Sequence, residues 1–122
     1  MRSEPPEDLR SRTKRFALET IRFLRTLPKS DEARILGNQL LRSATSIAAN
    51  YRASRRSRSR TEFTAKLGVV IEEADESMMW LELLGEANIA PEAHVQKLLA
   101  EADQLLRIFV ASRQTARRRS KS

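Results

Sequence analysis

Five arginines crowd one short stretch of the chain, NYRASRRSRSRTEF at residues 50–63, which the aromatic residues Tyr51 and Phe63 bracket. One guanidinium group can donate two parallel hydrogen bonds to the oxygens of a phosphate, so a cluster of arginines is typical of a nucleic-acid contact. Like charges within a Debye length of roughly 8 Å repel each other, so the cluster also requires anions nearby, either phosphates or carboxylates of the protein or a neighbouring subunit. The five are Arg52, Arg55, Arg56, Arg58 and Arg60.

A second basic segment ends the sequence, RQTARRRSKS at 113–122, with five cationic side chains and no carboxylate. We expect Arg117, Arg118 and Arg119 to contact phosphate; the alternative is a solvated tail that only favours solubility. Phosphate contacts carry no base information, so binding of RNA or DNA through either segment is expected to show little sequence specificity.

Carboxylates are also clustered, in EEADE at 72–76, where Glu72, Asp75 and Glu76 share one helical face as in carboxylate-bridged metal sites. Di-iron bundles also require Glu-x-x-His on two helices, whereas this chain has one histidine, His94. We therefore interpret the carboxylates at 72–76 as an ion-paired or solvated face of a helix. His94 has no groups spaced to complete a catalytic triad, and the sequence has no Gly-rich phosphate loop. We expect no enzymatic activity, no metal, no cofactor and no small-molecule substrate.

The composition favours one domain, because 122 residues with 40% hydrophobic content suffice for a single core. The absence of cysteine excludes disulfides and thiolate sites and is typical of a reducing compartment, so a cytoplasmic location is expected. No apolar run approaches the ~20 residues that cross a bilayer, and the N-terminus lacks a hydrophobic signal core. We expect no membrane partner.

The net charge of +7 is unevenly distributed along the chain. Residues 1–60 hold 15 Lys/Arg against 6 Asp/Glu, giving +9; residues 61–112 hold 3 against 10, giving −7; residues 113–122 hold 5 against none, giving +5. Two interpretations remain open and are compatible: the basic and acidic parts attract each other within one fold, or the basic surface meets a polyanion.

Apolar residues at three- and four-residue steps predict four helices with breaks between them. The first is predicted from about Asp8 to Leu27, because the proline that follows disfavours helix. The second follows Ser30, a potential N-cap, and runs to about Ala53. Its segment SATSIAAN at 43–50 has small side chains that allow a neighbouring helix to approach closely.

The third predicted helix opens with the Ser-x-x-Glu spacing of a capping box at Ser59 and Glu62, and ends near Gly85. Arg55 to Arg58 then lie in the connection before it. The fourth begins with Pro91 in its first turn, has the most regular apolar pattern of the chain, and ends in the basic segment.

Four amphipathic helices with short connections predict an all-α, up-down-up-down four-helix bundle. We assign residues 1–7 to a flexible N-terminus, 8–115 to the bundle and 116–122 to a basic flexible tail. Folding helix 2 onto helix 3 would bring Arg42 near Glu72 and Glu73. Tyr51 and Phe63 lie on the helix stripes, so both are predicted to pack in the core rather than stack on bases.

The segment MMWLELL at 78–84 is apolar nearly all round its helix, more than one buried face requires. Either the connection that follows covers the additional surface, or a second subunit does. Large aromatics and methionine are enriched in interface cores, so we predict an oligomer interface at Met79, Trp80 and Leu84.

Several segments together resemble the bacterial four-helix-bundle proteins named for genes in 23S ribosomal RNA intervening sequences, over residues 8–115. They are LPKS (27–30), NQLLRSATSIAANYRAS (38–54), SRTEFTAKL (59–67) and EEADESMMWLELL (72–84). The resemblance implies a ring-like homo-oligomer, commonly a pentamer, with no enzymatic activity and no firmly established biochemical role. The chain is more distantly similar to the accessory variability protein of diversity-generating retroelements, a basic pentameric bundle that works with a reverse transcriptase and RNA, which indicates nucleic-acid binding by analogy only.

The hypothesis is therefore a non-enzymatic oligomeric bundle that binds RNA or DNA non-specifically through its basic turn and tail. The alternative is a scaffold that docks an acidic protein partner without nucleic acid.

Overall fold

A computed structural model describes residues 8–121 of the chain, so the predicted flexible segment 1–7 lies outside the described residues. Four helices form, and the described residues contain no strand, which confirms the predicted all-α class. The helices are α1 (Leu9–Leu24), α2 (Asp31–Ser54), α3 (Arg60–Glu86) and α4 (Glu92–Lys121).

Side-chain caps determine where the first three helices begin. Asp8 accepts a hydrogen bond from the backbone N–H of Arg10 at 3.2 Å, and the Ser30 hydroxyl accepts one from Ala33 at 3.2 Å. The Ser59 hydroxyl accepts from the backbone N–H of Glu62 at 3.1 Å. Each bond satisfies an amide that has no partner inside its own helix. Only this serine half of the predicted capping box forms; within residues 8–121, the Glu62 carboxylate makes no return bond to the Ser59 N–H.

Two helix ends differ from prediction. Helix α1 ends at Leu24 rather than Leu27, because the amides of Thr26 and Leu27 bond to carbonyls three residues back, at 3.0 and 3.2 Å. Such bonds tighten the chain into a turn before Pro28. Helix α4 instead continues to Lys121, through the segment predicted as a tail. No glycine or proline interrupts it, and alanine, arginine and glutamine are good helix formers.

Each helix packs against its neighbours in sequence, and α1 also packs against α4, whereas the backbones of the diagonal pairs lie farther apart within the described residues. The chain therefore runs up-down-up-down. The core at the centre is made of large apolar side chains with at most 1% exposure, among them Phe16, Leu40, Ile47, Leu67, Leu81, Leu105 and Phe109. Tyr51 is buried as predicted, its ring centroid 5.7 Å from that of Phe109.

The α2–α3 contact is built from small buried residues. Ser43 and Ala44 of α2 and Ala74 and Ser77 of α3 are all fully buried, which confirms the role predicted for the small-residue segment of α2. The two serine hydroxyls meet across the interface at 2.7 Å. This hydrogen bond satisfies polar groups that have no access to water.

Ion pairs between helices lie around this core. Arg42 pairs with Glu73 at 3.2 Å and also with Glu76, whereas Glu72 is exposed and forms no pair with Arg42. The predicted cross-helix pair is thus confirmed for Glu73 and wrong for Glu72, because residues three apart on α3 share the face toward α2. Helix α1 is tied to α4 by Arg12, which donates two hydrogen bonds of 2.8 Å to the Glu101 carboxylate.

The buried serine pair gives a stability prediction. We expect Ser43→Ala to lower the free energy of unfolding by about 1–2 kcal/mol, because the Ser77 hydroxyl then loses its partner while buried. The double variant, with alanine at both positions, should cost less than the sum of the two single changes. Chemical denaturation of the four proteins measures this coupling, and strictly additive costs would contradict it.

Candidate nucleic-acid interface

The two basic segments, which are far apart in sequence, lie at the same end of the bundle. Consecutive helices alternate in direction, so the α2–α3 connection and the last turns of α4 share an end. The start of α3 and the end of α4 lie side by side, because both line one surface groove. Its residues include Arg60 and Phe63 of α3 and Thr115, Ala116 and Arg119 of α4. We define the basic end as the set Arg52, Arg55, Arg56, Arg58, Arg60, Arg117, Arg118 and Arg119.

The α2–α3 connection is short and tightly turned. The Ser54 hydroxyl donates to the carbonyl of Tyr51 at 2.6 Å, and the amide of Ser57 donates to the carbonyl of Ser54 at 3.1 Å. As predicted, Arg55 to Arg58 lie between the helices, and the side chains of Arg55, Arg56 and Arg58 are exposed. The turn thus presents three guanidinium groups to solvent within four positions.

The flanking arginines belong to the helices, and their electrostatic settings differ. Arg52 lies in the last turn of α2, where a cation complements the negative end of the helix dipole. Arg60 is the first residue of α3, where the partial positive charge of the helix N-terminus disfavours a cation. Arg58 precedes the same N-terminus. An anion placed here would be favoured by the arginines and by the helix together.

The arginines of the turn form no ion pair within the described residues, whereas several arginines on the helix bodies do. Arg12, Arg34, Arg42 and Arg107 each pair with a carboxylate. Across residues 8–121, by contrast, no ion pair is formed by any arginine between positions 52 and 60. Carboxylates of the described part of the chain therefore do not pair with this cluster.

The C-terminal arginines lie on a helix rather than a tail. Arg117 and Arg118 are exposed, and Arg119 lines the groove beside Phe63. Arg113, one turn earlier on α4, was not predicted as a site residue, although its four-residue spacing from Arg117 places both on one face. Its guanidinium group lies over Gly68 of α3, where an added Cβ would stand 3.7 Å from it.

The predicted oligomer interface is only partly available at the surface. Leu84 is fully buried, and its carbonyl accepts hydrogen bonds from the amides of Ile89 and Ala90. Because Leu84 has no exposed surface within the single chain, its placement at a subunit interface is corrected. Trp80 is partly buried against the core, whereas Met79 is 45% exposed.

Met79 belongs to a stripe along the outside of α3 that sequence reasoning did not identify. Val69 and Leu83 are both 42% exposed and lie on the same face of α3 as Met79. Glu72 and Glu76 lie between them on this face, so the five residues follow each other at steps of three or four. We call these five residues the outer stripe of α3. Because it combines apolar and acidic side chains and is exposed except at Glu76, which pairs with Arg42 of α2, it is a candidate contact surface.

Other chemistry has little support in the structure. Among residues 8–121, no group of three or more histidine, aspartate and glutamate side chains is arranged to hold a metal ion. His94 is exposed in the first turns of α4. Over the same residues, no helix combines the length and apolarity that crossing a bilayer requires.

Fold and surface together define an all-α four-helix bundle with a concentrated basic end. The chain belongs to the family of 23S rRNA-intervening sequence proteins, whose model matches residues 8–111. It is also similar to the crystal structure of a protein of unknown function of the S23 ribosomal protein family from Bacteroides thetaiotaomicron VPI-5482. The TM-score is 0.79 at 25% identity, over 85% of this chain and 96% of that one. No curated protein matches the chain, and neither of the two names states an enzymatic activity.

The cap at the start of α3 can be tested separately from the arginines. We expect Ser59→Ala to lower the free energy of unfolding by about 1 kcal/mol, because the Glu62 amide loses its acceptor. Ser59→Asp should retain wild-type stability, since aspartate caps equally well. Thermal or urea unfolding followed by circular dichroism measures both changes. Equal losses in the two variants would show that the hydroxyl does more than cap the helix.

Proposed function

We propose that this protein is a non-enzymatic, homo-oligomeric helical bundle that binds RNA or DNA through the phosphates, at the basic end. One observation carries the proposal: two cationic segments far apart in sequence converge at one end, and the five arginines of the first have no carboxylate partner in the described chain. A polyanion supplies the missing counter-charges, whereas water alone leaves the repulsion among the guanidinium groups only partly screened.

The position of the cluster strengthens the argument for phosphate. Arg58 and Arg60 flank the N-terminus of α3, where unpaired backbone amides and the helix dipole already favour an anion. Cations at this position are locally unfavourable, and departures from such local rules are expected where a protein binds a ligand. Arginine also fits phosphate oxygens in a bidentate geometry that lysine does not reproduce.

This mode of binding predicts low base specificity and strong dependence on salt. The contacts would be made to the backbone, which carries no sequence information. In a homo-oligomer, several basic ends would act on one polymer, so affinity would rise through effective concentration without any additional contact.

The surface also supports self-assembly. The outer stripe of α3 is apolar and acidic, while a groove between α1 and α2 is lined by apolar side chains such as Leu18 and Ile21 together with the basic residue Lys14. These two surfaces are complementary but different, so docking one onto the other is a head-to-tail contact. Such contacts form rings when the rotation closes. A ring, commonly a pentamer in the family the sequence resembles, is therefore the assembly we propose.

Replacing the exposed arginines of the turn tests the phosphate contacts. We expect the triple variant R55Q/R56Q/R58Q to bind RNA and DNA of any sequence more weakly and with a flatter salt dependence. Each phosphate contact that is lost reduces the steepness of log K against log salt concentration by about 0.9 on duplex DNA. Fluorescence anisotropy titrations at several salt concentrations give both quantities.

The matched control is R22Q/R25Q/R34Q, which removes three charges at the opposite end of the bundle. It should change the salt slope little. Unchanged affinity in the turn variant, or equal losses in both, would leave the basic end without a specific role. Failure of the wild-type protein to bind either polymer would favour the scaffold with an acidic protein partner.

The assembly is tested at Met79, because its exposure means that substitution leaves the core intact. We expect Met79→Lys to shift the protein toward monomer, since it would place a positive charge in the apolar part of the subunit contact, opposite a groove that contains Lys14. The control is Gln96→Lys, which adds the same positive charge at an exposed position on α4 and should leave the assembly intact. Light scattering of nuclease-treated protein measures the mass, and an unchanged oligomer in the Met79 variant would remove the outer stripe from the interface.

A further inference from the structure

Phe63 occupies an unusual position for a residue on a core-facing stripe. Part of its ring packs against the hydrophobic core, but it also lines two surface grooves at the basic end. Tyr51, the other aromatic residue beside the arginine stretch, is 6% exposed and packs on Phe109. The prediction that both aromatics belong to the core is therefore confirmed for Tyr51 and only partly true of Phe63.

The larger of the two grooves lies between the first turn of α3 and the last turns of α4. We call it the Phe63 groove; it has a volume of about 490 Å³, within the ~300–1,000 Å³ range of small-ligand pockets. Apolar atoms make up most of its lining, Ser112 and Thr115 add polar groups, and each of the two helices contributes an arginine. The residues concerned are Arg60, Phe63, Ile108, Ala111, Ala116 and Arg119.

The second groove continues from the first toward the α2–α3 turn. It has a volume of about 350 Å³, and Arg55, Arg58, Arg60 and Phe63 are among its lining residues. Phe63 and Arg60 are common to both grooves. An apolar slot is thus continuous with the cationic surface, and an occupant of the slot would have anionic groups within reach of the turn arginines.

We infer that the Phe63 groove receives an unpaired nucleobase, stacked on the Phe63 ring, while the adjoining phosphates contact the turn arginines. This inference rests on the proposed function and narrows its ligand to single-stranded RNA or DNA. A single strand combines flat apolar faces with anionic links between them, which is the chemistry that the two joined grooves present. In a duplex the bases are already stacked on each other, so only the phosphates would be reached.

Stacking of this kind tolerates every base, because each base has a π-face. The groove would therefore add a preference for single strands while leaving the low sequence specificity of the phosphate contacts unchanged. An acidic protein with an apolar side chain is the other occupant of matching chemistry, and the experiment below separates it from a nucleobase.

The test compares three fluorescent probes by anisotropy at physiological salt: a single-stranded oligothymidylate, an abasic oligonucleotide of the same length, and a duplex. We expect the single strand to bind about tenfold more tightly than the abasic strand, given typical base–aromatic stacking. Phe63→Leu, which keeps an apolar side chain but removes the ring, should abolish this difference and leave abasic and duplex binding unchanged. A 2-aminopurine in the strand should lose fluorescence on binding to wild type only.

Phe23→Leu is the matched control, because it removes a buried phenylalanine at the opposite end of the bundle. It should retain the preference for single strands, and melting temperatures of both variants monitor folding. Equal affinity for single and abasic strands, or a preference that survives Phe63→Leu, would overturn the inference while the phosphate contacts remain. Absence of binding to all three probes would instead contradict the proposed function, and would favour the acidic protein.

Discussion

The close contact between α2 and α3 is the constraint on which the rest of this structure depends. Small buried side chains, Ser43 and Ala44 on α2 and Ala74 and Ser77 on α3, take part in it, and the hydroxyls of Ser43 and Ser77 hydrogen-bond across it. Two helices held so near each other can be joined by a connection of only a few residues. The arginines that this connection contains are therefore crowded into a small volume, and the bundle must accommodate their mutual repulsion.

The way that charge is distributed follows from the same arrangement. Arginines along the helix bodies, such as Arg12 and Arg42, reach carboxylates of neighbouring helices, where they tie the bundle together. Arg55, Arg56 and Arg58 lie in the connection between two helices, and within residues 8–121 they form no ion pair. Position in the fold, rather than residue type, thus distinguishes the arginines that tie helices together from those of the α2–α3 turn.

The sequence predicted the helices and their caps well, because apolar periodicity and residues such as Ser30 and Ser59 act locally. It also predicted the Arg42–Glu73 pair, which depends only on folding two adjacent helices onto each other. The end of α4 was placed too early, since a run of arginines was read as a tail although each of them favours helix. Leu84 was assigned to an interface because an apolar position on a helix does not show whether the same chain or a second one covers it.

The convergence of the two basic segments could be recognised only from the directions of the four helices. The partial exposure of Phe63 could be recognised only from how those helices pack. A periodic stripe indicates which face of a helix is apolar, but not where along that face the neighbouring helix leaves a gap. Phe63 stands at such a place, near the start of its helix, where the bundle no longer surrounds it on every side. Sequence patterns accordingly identified the charged part of the candidate site and missed its apolar part.

The helical continuation of α4 has a consequence for the entropy of binding. Arg117 and Arg118 stand on a backbone that is already ordered, so a ligand that meets them does not have to immobilise the chain that carries them. Ordering a disordered residue costs on the order of 1–2 kcal/mol for its backbone alone. Helical geometry also turns successive side chains by about 100°, so neighbouring arginines face different directions. A rigid surface of this kind would constrain the path of a bound strand in a way that a flexible basic tail does not.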